Sequence, residues 1–595
     1  MQPVVSCSGV ATLNSLDAVK SREFKTRNIS SCYLSITAVY QILQRPCPNN
    51  RISLPLLCGS YRYDVWRCPS INTMKNRLLY LSSVLSAQLL SAEAQTELPL
   101  QDAAFEIRVV ADKLSDPWEL TNGPDNHLWV TESKGYRVLR IDPASGKKQV
   151  LADLNKERKF PRFDKVAKKD GGIPWPQGGL MGMALHPSLL TGKPFVYLAY
   201  IYDYKGNPGN VNGGQSGGGH KFLQRIVRYT YDPQKAKLIQ PVILCDTIPA
   251  SNDHNGGRLL IAPVNDKHYL FLSIGDMGAG QFSNGARQNK AQNQYSYEGK
   301  VLRFNLEADE DDLKENQWIP NDNPFNASGQ NAVWSTGHRN PQGLTYAEIN
   351  GVERIYAVEH GPYSDDEVNL IEKGSNYGHP LVVGYDDGNY NGLAASVSDK
   401  EDYPGVWNTS YPLIKDEKAN ARQIGAPYRN PVTSFYPTGN KLLTELYQNI
   451  KKGGERQEWQ SFAPSSVEVY QSEAIPGWKN SLLIPTLKGS RLIRVKLDNN
   501  GKVANSNVYE YVRGQVRYRD VAVSNDGLKL YLAVDSSAVS SGPSKADPMQ
   551  VSYRGCILEL TYKSETAHSY NGTKENPASY PPSLETLLSF ERKNM

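Results

Sequence analysis

One pattern of apolar and polar positions recurs along the chain after residue 98: a polar turn leads into a short strand of alternating residues. Period-two alternation bounded by Asn, Asp and Gly is typical of strands and hairpins. A second strand often follows closely, as in RVLRID (137–142) and KVLRFNL (300–306). The six copies are GPDNHLWVTES (123–133), GKPFVYLAYIYD (192–203), NDKHYLFLSIGD (265–276), NGVERIYAVEHG (350–361), PGWKNSLLIPTLKG (476–489) and NDGLKLYLAVDSS (525–537).

This recurrence predicts an all-β fold, a six-bladed β-propeller of four-stranded antiparallel blades, because radial repetition protects the edges of the sheets. A set of unrelated antiparallel sheets is the alternative on the repeats alone. The spacing is widest between the fourth and fifth copies, so residues 385–475 contain long insertions. Long insertions in compact domains are often functional loops.

The ends of equivalent strands lie on one face of a propeller, and here they carry polar residues. We therefore expect a polar pocket over the central channel, which is a common place for a ligand. The residues at these strand ends are Glu132, Asp203, Asp276, Glu359, His360, Lys488 and Asp535.

Charge and cysteine are concentrated at the start of the chain. Residues 1–73 hold eight Lys/Arg against three Asp/Glu, which accounts for the whole net charge of +5. The rest is neutral, which argues against a nucleic-acid partner. Five of the seven cysteines lie before residue 74 without CxxC spacing, so a zinc site is not indicated. They are Cys7, Cys32, Cys47, Cys58 and Cys68.

The segment MKNRLLYLSSVLSAQLLSAEAQ (74–95) has the basic start, apolar run and small-residue end of a secretory signal peptide. An ordinary amphipathic helix is the alternative. The apolar run is too short to span a membrane comfortably. We expect cleavage near Ala94, no membrane span in the mature chain, and a periplasmic or secreted protein. The predicted organisation is a non-native or disordered upstream extension (1–73), a signal peptide (74–94), a propeller catalytic domain (95–565) and a flexible tail (566–595).

Several polar stretches carry candidate chemistry. SNDHNGGRLLI (251–261) places His254 in a polar turn. There it is either a general base or an ordinary exposed loop residue. VRYRDV (516–521) places Arg517 and Arg519 two apart, on the same side of a strand. Together with Lys488 they favour a ligand with several carboxylates, although each alone is more often a solvated surface charge. The oxygen-rich stretch EHGPYSDDEVNL (359–370) suits Ca²⁺.

Nine collinear stretches between about residues 98 and 563 carry a resemblance: DHNGGRL, IGDMGAGQ, GKVLRFNL, GHRNPQGL, GPYSDDEVNLI, GSNYGHP, FAPSS, SLLIPTLKG and RYRDV. The chain resembles the soluble, pyrroloquinoline-quinone (PQQ)-dependent glucose dehydrogenases of the glucose/sorbosone dehydrogenase family, which are six-bladed propellers. The resemblance implies PQQ and Ca²⁺ as cofactors and oxidation of an aldose at the anomeric carbon to the lactone. The quinone would accept the hydride and pass electrons to an external acceptor such as a cytochrome.

The resemblance also implies residue roles. His254 matches the general base, Asp276 the carboxylate that orients it, and Arg339 the side chain that polarises the quinone carbonyl. The positions matching quinone-binding residues are Gln177, Asn340, Lys488, Arg517 and Arg519. The backbone oxygens matching ligands of the cofactor-bridging Ca²⁺ are those of Gly361 and Pro362. A second, structural Ca²⁺ would take the carbonyls of Val383 and Tyr385 and the carboxylate of Asp387, with Glu417 as a candidate fourth ligand. The positions matching the sugar pocket are Asp253, Gln281 and Trp459.

The chain departs from the family pattern at His360, where the glucose enzymes have Gln, and lacks an expected aromatic residue just before Trp459. These departures leave the preferred sugar open. Relatives form dimers, so a homodimer is one possible state, but no apolar face in the sequence identifies an interface and the oligomeric state is left open. Two alternatives are a propeller binding module without cofactor and a Ca²⁺-dependent propeller lactonase, neither of which needs a Lys/Arg cradle beside a base.

Overall fold

The computed structural model describes residues 101–167, 177–206, 219–281, 284–285, 287–309, 317–397, 406–453, 459–536 and 552–564. The chain divides into two units, Met1–Thr96 and Glu97–Met595, and every described residue belongs to the second. The predicted upstream extension, signal peptide, C-terminal tail and domain boundaries lie outside the described residues. Within these ranges, no helix combines the length and apolar character needed to cross a membrane.

The first three blades follow the order of the chain after an initial strand, β1 (Ala104–Ala111). The first blade consists of β2 (Pro117–Asn122), β3 (Leu128–Glu132), β4 (Arg137–Ile141) and β5 (Lys148–Asp153). The second consists of β6 (Leu180–Leu185), β7 (Phe195–Gly206), β8 (Lys221–Asp232) and β9 (Lys237–Ala250). The third consists of β10 (Leu259–Val264), β11 (Lys267–Ile274), β12 (Lys300–Asn305) and β13 (Val333–Thr336). A short 3₁₀ turn, Phe163–Lys165, lies between β5 and β6.

The fourth blade contains an insertion before its outermost strand. It consists of β14 (Pro341–Ile349), β15 (Val352–Glu359), β16 (Asp366–Leu370) and β19 (Thr433–Phe435). Between β16 and β19 lie the hairpin strands β17 (Leu393–Ala394) and β18 (Leu413–Ile414), the 3₁₀ turn Val406–Asn408, and helix α1 (Glu417–Ile424). Helix α2 (Asn440–Lys451) follows β19.

The last two blades close the ring. The fifth consists of β20 (Glu468–Tyr470), β21 (Ser481–Pro485), β22 (Leu492–Leu497) and β23 (Val503–Tyr511). The sixth consists of β24 (Tyr518–Val523), β25 (Lys529–Val534), β26 (Ile557–Lys563) and the initial strand β1. Strands β1 and β26 pair antiparallel, with Ala104 opposite Lys563. The sixth blade therefore joins the two ends of the described chain.

The six recurring sequence copies become β3, β7, β11, β15, β21 and β25, the second strand of each blade. The first strands contact one another in a closed ring, from β2 through β6, β10, β14 and β20 to β24 and back to β2. The predicted six-bladed propeller of four-stranded antiparallel blades is confirmed.

The apolar core lies mainly between neighbouring blades. Tyr197 and Ile226 of the second blade, for example, pack in one buried cluster with Leu270 and Leu302 of the third. Because both faces of a blade pack against its neighbours, strands such as β3 and β21 are buried along their whole length.

The central channel contains a buried charged group, Arg258. Its Nη1 donates to Glu119 (2.7 Å) and to Asp520 (2.8 Å), and its guanidinium lies 4.2 Å from the ring centre of Trp118. The cluster therefore links the inner strands β2 and β24 to the residue that precedes β10.

The predicted insertion is structured within the described residues. Helix α1 is capped by the Asp416 side chain, which accepts a hydrogen bond from the Ala419 amide at 3.0 Å. Helix α2 buries Leu443, Tyr447 and Ile450, which recur at i, i+4 and i+7 on one face. These residues belong to one hydrophobic cluster, against which the partly buried Trp407 and Trp459 pack.

Candidate active site

The loop that carries His254 meets two other loops at Gly275, just after β11. His254 has a φ of 47°, in the left-handed region. A Cβ on Gly275 would lie 2.1 Å from the His254 carbonyl oxygen and 3.1 Å from that of Arg339. The Asp276 amide donates to the same Arg339 carbonyl at 2.8 Å. The absent side chain at residue 275 therefore lets the His254, Asp276 and Arg339 segments converge.

His254 and Asp276 form a buried dyad. The Nδ1 atom of His254 lies 2.7 Å from Oδ1 of Asp276. Burial alone would raise the pKa of Asp276, but His254 and a second histidine, His379, hold that pKa well below its ordinary value. An ionised Asp276 accepts the Nδ1 proton of His254, so the other ring nitrogen, Nε2, is left to accept a proton.

One glutamine connects the His254 imidazole to Arg339. The Nε2 atom of Gln281 lies 3.0 Å from Nε2 of His254 and donates to Asp253 at 2.9 Å. Its Oε1 accepts a hydrogen bond from Nη2 of Arg339 at 3.2 Å. His254 and Arg339 are therefore separated by a single polar side chain, and Asp253 and Gln281 lie beside them. The structure brings these predicted residues together.

Arg339 is positioned from its backbone and carries an unsatisfied donor. Its amide donates to Glu359 at 2.7 Å, and its Nη1 donates to the carbonyl of His360 at 3.1 Å. Burial would raise the pKa of Glu359, but His338, whose Nδ1 lies 3.0 Å away, lowers it. The Nε atom of Arg339 is buried without a hydrogen-bond partner among the described residues. Such an atom is expected where a ligand supplies the acceptor.

His360, the residue that departs from the family pattern, is uncharged in this setting. Its Nε2 donates to the carbonyl oxygen of Pro464 at 2.9 Å. Burial, and next the positive charge of Arg339, lower the pKa of His360 well below its ordinary value. A neutral imidazole adds no charge to the site.

The predicted quinone-binding residues form a polar chain next to Arg339. Oε1 of Gln177 accepts hydrogen bonds from Asn340 and from Gln342, each at 3.5 Å. Oε1 of Gln342 accepts from Nη1 of Arg519 at 2.8 Å, and Arg519 also binds both oxygens of Asp535, at 2.8 and 2.9 Å.

Arg517 points to the same carboxylate as Arg519. Its Nε lies 3.5 Å from Asp535, which agrees with the predicted same-side placement of the two arginines. Burial lowers the pKa of Arg517 to about 10, so the guanidinium is protonated at neutral pH. Two cations around one carboxylate leave a net positive charge for a ligand.

Lys488 and Trp459 lie together at the border of the insertion. The Lys488 ammonium is 4.3 Å from the Trp459 ring centre, a cation–π contact. The Trp459 ring packs edge-on against Tyr363, with ring centres 5.1 Å apart. The roles expected of Lys488 and Trp459 stay predictions.

The predicted Ca²⁺ loops are tightly turned. A Cβ on Gly361 would lie 1.7 Å from the carbonyl oxygen of Ser364, and the Gly361 amide donates to Asp366 at 3.2 Å. Glycine therefore gives the turn that leads into Pro362 its shape.

The second predicted loop, with Val383, Tyr385 and Asp387, is contacted by Glu417, whose carboxylate accepts from the Val383 amide at 3.0 Å. Burial raises the pKa of Glu417 to about 7. Among the described residues no cluster of three or more His, Cys, Asp or Glu side chains is placed to hold a metal. The predicted sites use mainly carbonyl oxygens, so both Ca²⁺ sites stay predictions.

Two predicted strand-end residues are engaged locally. Glu132 pairs with Arg137, and Asp203 with Lys205 at 2.7 Å. Local ion pairs therefore occupy these two carboxylates.

Sequence reasoning missed some residues of the site. Gln342 could have been found, because it lies two residues after Asn340 in the same recognised stretch, GHRNPQGL. His379 lies in the recognised stretch GSNYGHP, but no spacing linked it to Asp276. The residues from the insertion, Ser396 and Tyr411, had no recognisable signal. Ser396 donates to Oε1 of Gln281 at 3.2 Å, and Tyr411 donates to Asp276.

Comparison with known proteins identifies the family. The model of the family described as Glucose / Sorbosone dehydrogenase matches residues 114–413 and 451–540. Quinoprotein glucose dehydrogenase B of Acinetobacter calcoaceticus is 33% identical over 530 residues, covering 83% of this chain and all of that protein. The aldose sugar dehydrogenase YliI of Escherichia coli K12 is 28% identical over 443 residues, covering 73% of this chain and 91% of that protein.

A solved structure shares the fold. A crystal structure of a glucose dehydrogenase superposes with a TM-score of 0.50 at 23% identity, covering 76% of this chain and 99% of the other. The extent of the family match and the identity to the Acinetobacter protein go further than fold. The chain is therefore an oxidoreductase that belongs to the glucose/sorbosone dehydrogenase family.

Proposed function

We propose that this protein oxidises an aldose at its anomeric carbon to the lactone, with PQQ as hydride acceptor and an external protein or dye as the final electron acceptor. The observation that carries the proposal is the buried His254–Asp276 dyad, one glutamine away from Arg339. A base and a cation one side chain apart suit the removal of a proton and a hydride from the same bound sugar.

The residues present fit PQQ. The resemblance implies a planar quinone with three carboxylates, and Lys488, Arg517 and Arg519 supply three cations. The buried, unsatisfied Nε of Arg339 supplies a donor for a quinone oxygen. When bound, PQQ would accept the hydride, and Ca²⁺ held by the carbonyls of Gly361 and Pro362 would act as a Lewis acid.

The chain's own residues would then act as follows. Nε2 of His254 accepts the proton of the anomeric hydroxyl, which replaces the Gln281 amide as its hydrogen-bond partner. Asp276 stabilises the imidazolium through Nδ1. The Arg339 guanidinium faces the same position and stabilises developing negative charge. Gln281 and Asp253 would then bind the remaining sugar hydroxyls.

The cellular setting is proposed from the sequence. The signal-like segment from Met74 supports export to a periplasm or secretion after cleavage near Ala94. N-terminal sequencing of the protein secreted by an expression host checks this. A mature chain that retains residues 1–94 would contradict it.

The test of the activity uses the purified chain reconstituted with PQQ and Ca²⁺. Reduction of an artificial dye is followed with glucose, maltose and xylose, and a lactone is offered in parallel without quinone. We expect aldose-dependent dye reduction that needs the quinone. Lactone hydrolysis without quinone would support the lactonase alternative. If none of these substrates is converted, with or without quinone, the binding-module alternative would be supported.

Lys488→Ala tests the cradle separately. We expect weaker quinone binding by at least about tenfold, because a hydrogen bond between charged groups is worth about 1.5 kcal/mol or more and about 1.4 kcal/mol corresponds to a factor of ten. Lys479→Ala, which removes a surface lysine paired with Glu473, is the matched control. Equal quinone affinity in the two variants would count against the cradle.

A further inference from the structure

The second oxygen of Asp276, Oδ2, is more heavily hydrogen-bonded than orientation of His254 requires. Oδ1 accepts from His254 and from the Gly278 amide at 2.9 Å. Oδ2 accepts from the Tyr411 hydroxyl, from Nε2 of His379 at 2.9 Å and from Asn289 at 3.1 Å. Asp276 is fully buried, so these donors supply the hydrogen bonds that water would give to an exposed carboxylate.

Tyr411 comes from the insertion of the fourth blade, which is fastened to the loop after β11. The Thr409 hydroxyl donates to the Gly280 carbonyl, and Ser410 donates through its amide to Gly285 (3.3 Å) and through its hydroxyl to the Arg287 carbonyl (2.7 Å). These contacts hold residues 409–411 against the catalytic loop.

The approach of Tyr411 depends on a glycine. Gly280 has a φ of 79°, and a Cβ there would lie 2.1 Å from the Tyr411 ring. Burial, together with the negative charge of Asp276, raises the pKa of Tyr411 well above its ordinary value. The hydroxyl therefore keeps its proton and stays a donor to Asp276.

His379 reaches the same oxygen from the segment between β16 and β17. Its amide donates to the Gly337 carbonyl at 3.0 Å, and its ring meets the Tyr411 ring edge-on with centres 5.4 Å apart. Each ring therefore packs against the other while both donate to Oδ2.

We propose that Tyr411 and His379 are positioning residues that hold Oδ2 of Asp276 and thereby limit how strongly Oδ1 binds the His254 imidazolium. Hydrogen bonds to Oδ2 draw negative charge away from Oδ1. Without them the carboxylate would stabilise the charged imidazole more, and a larger fraction of His254 would be protonated and unable to act as a base. The insertion is thereby part of the catalytic centre.

Other charged groups around the dyad are untouched by changes at residues 379 and 411. Asp253 has an oxygen 3.9 Å from Nε2 of His254. Arg339 lies beyond Gln281, and Arg287 acts on Asp276 through space. The neutral His360 lies on the Arg339 side. Their contributions to the His254 titration are common to the wild type and the variants.

The test is the pKa of the His254 imidazole in the quinone-free protein, measured by NMR with the resonance assigned by its loss in His254→Gln. We expect Tyr411→Phe to raise that pKa by roughly 0.5 to 1 unit, the shift that part of one charge-assisted hydrogen bond would give. His379→Leu should shift it in the same direction, and His379→Gln, which keeps a donor, should restore it.

The matched control is Tyr447→Phe, which removes the hydroxyl of another buried tyrosine, on helix α2, that has no hydrogen bond to Asp276. It should leave the His254 pKa unchanged. Asn289→Ser, which removes the third donor at a less buried position, provides a further variant if the substitutions at 379 or 411 prevent folding. Unchanged His254 titration in every folded variant lacking a donor would overturn the proposal.

The kinetic consequence rests on the proposed function. In the reconstituted enzyme the acid limb of kcat/KM for Tyr411→Phe should move to higher pH by the same shift, with activity recovered at alkaline pH. A merely structural role would lower activity at every pH and leave the midpoint pH of the acid limb unchanged. If no aldose is oxidised, the proposed function fails, whereas the quinone-free titration still decides the role of Tyr411 and His379.

Discussion

At the scale of single residues, the site depends on His254 and on the space that glycine leaves around it. The left-handed backbone of His254 and the close packing against Gly275 set the direction of the imidazole. Asp276 fixes which ring nitrogen carries the proton. The chemistry therefore depends on backbone geometry as much as on the base itself.

His254→Asn removes the proposed base while keeping a polar side chain of similar reach. We expect kcat for aldose oxidation to fall at least about 100-fold, the lower range for loss of general base catalysis. Quinone affinity should change little. Steady-state dye reduction and a quinone-binding titration measure the two effects. A decrease in kcat of less than about tenfold would exclude His254 as the base.

Gly275→Ala tests the convergence of the three loops. The new Cβ would lie 2.1 Å from the His254 carbonyl oxygen, so the backbone must move. We expect the free energy of unfolding to fall by about 1 to 3 kcal/mol, as for overpacking elsewhere, together with loss of activity. Gly514→Ala is the control, because its nearest atom would be 4.0 Å away. Equal denaturation midpoints in both variants would contradict the packing argument.

Some of the site was predictable from sequence and some was not. His254, Asp276 and Arg339 lie in contiguous stretches with distinctive composition, so recognition needed no tertiary information. Tyr411 lies 135 residues from its partner Asp276, inside an insertion without periodic pattern. Contacts of that kind are set by tertiary packing and leave no local signal.

At the scale of elements, the strands were predictable because turns rich in Asn, Asp and Gly bound short runs of apolar and aromatic residues. The insertion was predicted only by its length, yet between β16 and β19 it contains a hairpin and helix α1. Its short elements are held by caps and by contacts to the catalytic loop. Such elements depend on their neighbours more than on their own propensity.

The inner strands give the molecule a pH-dependent stability. Glu468 on β20 lines the central channel near Asp520. Burial raises the pKa of Glu468 to about 8, and Asp520 adds to that rise. In the unfolded chain a Glu titrates near 4.3. The folded state therefore binds more protons between these values, and the stability due to Glu468 is lost as pH rises through about 8.

We expect the free energy of unfolding to decrease between about pH 5 and pH 8, with Glu468 contributing up to about 1.4 kcal/mol per pH unit. Glu468→Gln should make this decrease shallower, because the amide does not ionise. Glu473→Gln, at an exposed position, is the control. Urea denaturation at several pH values measures the slopes. Parallel slopes in the wild type and Glu468→Gln would contradict the assignment.

At the scale of the whole molecule, the ring is closed by β1 pairing with β26 and by the residues just before β1. Asp102 accepts a hydrogen bond from Trp478 at 3.2 Å and also binds Arg494 and Tyr511 of the fifth blade. The start of the described chain therefore links the sixth blade to the fifth. A six-bladed ring was predictable from six copies, but this closing contact was not.

Asp102→Asn tests this link. Loss of the charge leaves the buried Arg494 poorly compensated, so we expect the free energy of unfolding to fall by about 1 to 2 kcal/mol. Asp112→Asn removes a carboxylate that contacts only exposed lysines, and should have little effect. Chemical denaturation compares the two. Equal stability would show that closure does not depend on Asp102.

The central claim is that His254 removes a proton while the anomeric hydrogen leaves as hydride towards a quinone beside Arg339. The most direct measurement is anaerobic stopped-flow reduction of the reconstituted quinoprotein by glucose with hydrogen or deuterium at C1. The account predicts rapid bleaching of the oxidised quinone, slowed by deuterium in the wild type and abolished on the same timescale in His254→Asn. Absence of bleaching would contradict the account. So would a wild-type bleaching rate that does not change with deuterium at C1 when the chemical step is rate-limiting.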